Sequence, residues 1–164
     1  MTTLYNWRKG TFSSTYEIYT SNQLIGNLKD NSFKRMAYGI IDNRNIHFQT
    51  TGFWKQQTII IDADNNTIIG NISYGTWMTK ATISLSDKTY LWQYDNIWNT
   101  KWSMLGPDGT IIRNSGRTNS GIIESNSNND MLMLCGLFIT NYLLQITVAT
   151  SIAAMLPLWV TVFN

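Results

Sequence analysis

A mainly β domain of many short strands, finished by one long apolar helical segment, is the fold class this sequence predicts. Three observations lead there. Between Tyr16 and about Ser125, apolar and aromatic runs of strand length are broken at close intervals by Asn, Asp and Gly, the pattern of all-β sandwiches and barrels. From Met131 to Phe163 no residue is charged. The chain of 164 residues, 43% hydrophobic and 13% charged, suffices for one domain with an ordinary core.

The expected strands run from Tyr16 to Thr20, Gln23 to Lys29, Lys34 to Ile41, Asn45 to Thr50, Gln57 to Asp62, Thr67 to Ser73, Thr79 to Leu85, Lys88 to Asp95, Trp98 to Leu105, Thr110 to Asn114 and Ser120 to Glu124. Between them lie turn residues that tolerate positive φ or preset a bend, as in Asp42-Asn43-Arg44-Asn45, Asp62-Ala63-Asp64-Asn65-Asn66, Ser86-Asp87-Lys88 and Gly106-Pro107-Asp108-Gly109. Ile83 and Leu85 alternate with Thr82 and Ser84, as in a strand with one wet face. Tyr90, Leu91 and Trp92 are apolar in succession, which predicts a strand covered on both faces.

A polar linker, Ser125 to Asp130, precedes the apolar segment, and Asn129 or Asp130 is placed to accept hydrogen bonds from the first free amides of a helix. Leu, Met and Phe dominate as far as Gln145; beyond it β-branched residues are frequent and Pro157 interrupts, so two halves are expected. The run exceeds the ~20 residues that span a bilayer. A helix apolar all round is buried in protein or in lipid, and both readings stand on the sequence. No Lys or Arg lies close to the run, so the chain's flanks set no membrane orientation.

Net charge is only +2, which excludes the strong basic excess of a dedicated nucleic-acid binder. Arg8, Lys9, Lys29, Lys34, Arg35, Arg44 and Lys55 face only Glu17, Asp30 and Asp42 in the first third, a bias toward an anionic surface partner. Cys135 is the only cysteine, so no intrachain disulfide or cysteine zinc site is available and a reducing compartment is expected. Met1 to Lys9 lacks the apolar stretch of a secretory signal, which predicts cytosolic synthesis without cleavage.

The hairpin series from Tyr38-Gly39-Ile40-Ile41 through Ile68-Ile69-Gly70-Asn71-Ile72 and Trp102-Ser103-Met104-Leu105, ending in Asp130-Met131-Leu132-Met133-Leu134-Cys135-Gly136-Leu137-Phe138-Ile139, resembles the tubby-like C-terminal domain superfamily, which includes the LURP-one-related proteins and the phospholipid scramblases. The resemblance implies a closed antiparallel barrel of about twelve short strands around a C-terminal hydrophobic helix. It divides the chain into residues 1–145, a barrel with its central helix, and residues 146–164, an apolar extension that exceeds a plug and is suited to a membrane anchor.

His47 is the only histidine and has no serine elbow beside it, so it is read as a strand residue on the polar face, opposite Ile46 and Phe48. Asp62, Asp64 and Asn66 have the alternate spacing of calcium ligands but lack the glycine and distal glutamate of an EF-hand, and are read as a hairpin turn. Trp54, Trp77, Trp92, Trp98 and Trp102 are expected mainly in the core, with a membrane-interface belt as the other reading. Lys34, Arg35 and Arg44 are the candidate lipid-headgroup residues, by analogy with the phosphoinositide-binding basic residues of tubby domains. No cofactor, metal or catalytic residue is expected. The function expected is that of a non-enzymatic, membrane-associated lipid- or protein-binding module on the cytoplasmic side, with membrane lipid or a protein as partner and no nucleic acid. The alternative is a soluble cytoplasmic barrel with a fully buried helix, binding a small apolar ligand or serving as a structural subunit.

Overall fold

The computed structural model describes residues 1–11, 13–31, 35–52 and 56–162, with side chains described as far as Ser151. Twelve strands form a closed antiparallel barrel: β1 (Thr3–Lys9), β2 (Thr15–Thr20), β3 (Gln23–Asn31), β4 (Met36–Ile41), β5 (Arg44–Thr51), β6 (Gln57–Asp62), β7 (Thr67–Tyr74), β8 (Lys80–Leu85), β9 (Lys88–Tyr94), β10 (Lys101–Leu105), β11 (Ile111–Gly116) and β12 (Ser120–Ser125). Each strand pairs with its sequence neighbours, and β1 closes the circle against β12, with Tyr5 opposite Ile123 and Trp7 opposite Gly121. A single helix, α1 (Met131–Val162), follows.

Period-two alternation decides which face of each strand points inward. Ile46 and Phe48 of β5, Ile83 and Leu85 of β8, and Tyr90 and Trp92 of β9 are buried, while the residues that alternate with them face out. Two expectations are corrected. Leu91 is 58% exposed, so β9 is covered on one face only; the barrel needs no second layer because α1 fills it from inside. β1 was not among the expected strands, although Tyr5 and Trp7, both buried, alternate with exposed Leu4, Asn6 and Arg8.

The first turns of α1 are the core of the barrel. Met131 to Asn141 are all buried, as is Leu143. Phe138 stacks on Phe48 with ring centroids 4.4 Å apart and planes 7° from parallel, and Gly136 lies against Trp102. Thirteen helical residues rise about 20 Å, the height of a six-residue strand. Burial of large side chains such as Trp92, Trp102 and Phe48 contributes roughly 1.5–3 kcal/mol each for an aliphatic or Phe-sized group. Among the described residues the indole N–H groups of Trp92 and Trp102 have no hydrogen-bond partner, a cost of about 1–3 kcal/mol each that the ring burial must exceed.

At its start the helix is capped by Asn129, whose Oδ1 accepts from the Met131 amide at 3.2 Å. The Asp130 carboxylate is engaged elsewhere, accepting the Tyr5 hydroxyl at 2.6 Å. The backbone stays helical through Pro157, so the expected two halves are one continuous helix. They differ in surroundings rather than in secondary structure: the enclosed side chains end at Leu143, and Leu144 is exposed.

Candidate functional site

An up-and-down barrel sorts its connections by parity. The links after β2, β4, β6, β8 and β10 lie at the end where α1 enters; those after β1, β3, β5, β7, β9 and β11 lie at the end where it leaves. The entry end is tight. Its two-residue links Ser21-Asn22, Asp42-Asn43 and Ser86-Asp87 have positive φ at both positions, the type I′ geometry that matches strand twist. Longer links frame the exit end, which leaves room for the helix.

Where α1 leaves, a polar collar surrounds it. Asn141, 4% exposed, donates from Nδ2 to Asp30 Oδ2 at 2.9 Å, and its Oδ1 accepts from Lys9 Nζ and from the Tyr16 hydroxyl, each at 3.2 Å. One turn on, Gln145 donates to the same Asp30 oxygen, and the Tyr142 hydroxyl donates to Gln56 Oε1. Lys9 also lies over the Tyr16 ring, 4.7 Å from its centroid; burial draws its pKa below the ordinary lysine value, against the pull of Asp30. The collar marks the limit of the dry core.

Beyond the collar the helix is uncharged, and residues 147–151 are exposed, Val148 at 58%. The hydroxyls described there do not need water. Thr147 donates to Leu143 O at 2.9 Å, Thr150 to Ile146 O at 2.9 Å and Ser151 to Thr147 O at 2.8 Å, so each of these three is satisfied on its own helix. Met131–Ser151 is long and apolar enough to cross a membrane, although most of it is enclosed by the barrel. Residues 144–162, roughly 19 in number, extend about 28 Å as helix, against a hydrocarbon core of about 30 Å.

Charge is polarised along the barrel axis. Around the exit end lie Arg8, Lys9, Lys29, Arg35, Lys80, Lys101 and Arg117, with Glu17, Asp30 and Asp95 as the described carboxylates there. At the entry end Asp42, Asp62, Asp64, Asp87, Asp108 and Asp130 outnumber Arg44 and Lys88, and on the adjacent wall Arg113 of β11 is opposite Glu124 of β12. Burial, reinforced by neighbouring Asp130, holds the Asp42 carboxyl above the usual carboxylate range. Two tryptophans are displayed on exit-end links, Trp77 at 86% and Trp98 at 77% exposure. Trp54, also singled out by sequence, lies outside the described residues.

The residues singled out by sequence fall as follows. Arg35 stands before β4 at the exit end, its Nη1 donating to Gly52 O at 3.3 Å; its φ of 51° puts it in the turn rather than in the expected strand. Arg44 opens β5 at the entry end, paired with Asp62 at 3.1 Å. The two are therefore not brought together, being separated by the length of β4; Lys34 lies outside the described residues. His47 faces out, edge-on to Tyr38 at 4.7 Å. Asp62 and Asp64 are in the β6–β7 hairpin, Asp62 Oδ1 accepting from the Asp64 amide and Asp64 from Asn45. Of the tryptophans, Trp92 and Trp102 are core residues as expected; Trp77 and Trp98 are not, because links without inward-facing register offer them no wall to pack into.

Beside the emerging helix is a pocket of about 310 Å³ whose lining includes Lys9, Trp98, Arg117 and Leu144. Among the described residues no cluster of His, Cys, Asp and Glu is arranged to hold a metal ion. Compared with known proteins, the chain matches no family model, no curated protein and no solved structure.

Proposed function

We propose that this chain is a non-enzymatic, tubby-like barrel protein held on the cytoplasmic side of a membrane by the outer part of α1, where it presents the barrel as a lipid-associated or protein-binding module. The observation that carries the reading is the helix itself: past Leu143 it leaves the barrel without a charged residue, and the hydroxyls of Thr147, Thr150 and Ser151 are bonded to its own carbonyls. A backbone and side chains satisfied within one helix are what the bilayer interior demands. The cytoplasmic assignment draws on the cations around the helix exit, the side on which Lys and Arg accumulate. A closed barrel about a C-terminal helix is also the architecture that the tubby-like resemblance implies.

Alkaline carbonate extraction of membranes from cells expressing the full chain tests the reading. Retention in the pellet is the expected result. Release into the soluble fraction as a folded monomer would instead support a soluble barrel whose exposed helix serves a ligand or a neighbouring subunit.

A further inference from the structure

We propose that the exit end of the barrel is a docking surface for an anionic lipid leaflet, with the barrel axis along the bilayer normal and the acidic end turned away. This rests on the membrane-anchored reading and adds to it an orientation and a lipid chemistry. The exposed cations at this end arise from β1, β3, β8, β10 and the links after β3 and β11, so they encircle the helix rather than forming a patch on one wall. A helix that leaves the centre of that circle into hydrocarbon brings the circle to headgroup depth. Trp77 and Trp98 are then at the level where indoles are enriched in membrane proteins, with their apolar body toward the acyl chains and their N–H toward water. The collar of Asn141, Gln145 and Asp30 lies just inside this level and satisfies the polar groups at the crossing. The carboxylates of the entry end oppose docking in the reverse orientation, so charge complementarity selects one end of the molecule.

The test uses full-length protein reconstituted into vesicles, with an environment-sensitive fluorophore on cysteine at Thr76→Cys or Thr118→Cys, on the exit-end links, or at Asn65→Cys, on an entry-end link. Native Cys135 is buried and stays unlabelled. In vesicles of phosphatidylcholine with phosphatidylserine, brominated lipid should quench the labels at 76 and 118 and leave the label at 65 unquenched. About 1 M salt, where the screening length is ~3 Å, should reduce the quenching of the exit-end labels while the chain stays inserted. Neutralising Lys80, Lys101 and Arg117 should do the same, each substitution weakening contact by about fivefold. Equal quenching at 65, or unquenched labels at 76 and 118 in an inserted chain, overturns the docking and leaves the anchor standing; a chain that does not insert overturns both.

Discussion

Gly136 lies directly under the indole of Trp102: a Cβ at this helix position would stand 2.4 Å from Cη2 of the ring. Glycine in a helix interior costs about 1 kcal/mol relative to alanine, yet here it lets the helix approach the largest side chain of the wall. Gly136→Ala should therefore lower stability by about 1–3 kcal/mol, the usual cost of overpacking, despite the gain in helix propensity. Denaturant unfolding of the two proteins in detergent would show it; an alanine variant as stable as the parent would mean that the helix sits farther from Trp102.

Phe48 and Phe138 join wall to helix through a stacked pair. Phe138→Ala should cost about 3–5 kcal/mol, the range for emptying a buried aromatic site. A double-mutant cycle with Phe48→Ala should return a coupling of about 0.5–1.5 kcal/mol. Additive effects would show that the rings do not meet in solution.

Removing the collar should separate packing from hydrogen bonding. Asn141→Leu keeps the volume but takes away partners of Lys9, Tyr16 and Asp30, and should destabilise by about 1–3 kcal/mol. The same change in a Lys9→Met background should cost less, since one of the stranded groups is already gone.

Alkaline pH should loosen the barrel. Burial, aided by Asp130 at Tyr5 and by Asp30 at Tyr16, raises the phenol pKa of both, and burial alone raises that of Tyr94 to about 12. Below pH about 10 these phenols are protonated in folded and unfolded chains alike, and their contribution is constant. Above it the unfolded chain releases protons that the folded chain retains, so stability falls as pH rises toward the folded values, by up to about 1.4 kcal/mol per pH unit for each phenol. Unfolding midpoints at pH 8, 10 and 11, with tyrosinate absorbance followed in parallel, would reveal the decline. Tyr16→Phe should flatten it.

Ser151→Lys places a charge on the exposed helix without touching the core. It should leave the barrel's unfolding free energy within about 0.5 kcal/mol of the parent while reducing carbonate-resistant membrane retention, because a charged side chain in a spanning helix costs about 2.5–3.5 kcal/mol on insertion scales. Unchanged retention would argue against lipid around this turn.

The barrel was legible because its signals are local. Turn residues such as Asp42-Asn43 and Ser86-Asp87 sit where the hairpins are, and alternation at Ile83 and Leu85 marks the inner face. β1 escaped because Tyr5 and Trp7 give a short alternation and its hairpin with β2 closes through a five-residue link rather than a two-residue turn; its second neighbour, β12, comes from the far end of the chain. The charge polarity escaped for a related reason. Lys9, Arg35, Lys80, Lys101 and Arg117 are scattered along the sequence and gather around α1 only through the parity of the links. Taken along the chain, the same charges gave an N-terminal bias, and the nearest cations to the helix in space were invisible.

The pairing of β1 with β12 also makes the barrel a clasp around α1. The helix is tethered at Asp130 below and gripped by the collar above, and it can leave sideways only if a seam between strands unzips. A force applied to the outer helix would therefore be carried across the ladders of the wall rather than by a surface contact. The seam that closes last, between strands more than a hundred residues apart, would be slow to form and is the natural place for such a load to open it.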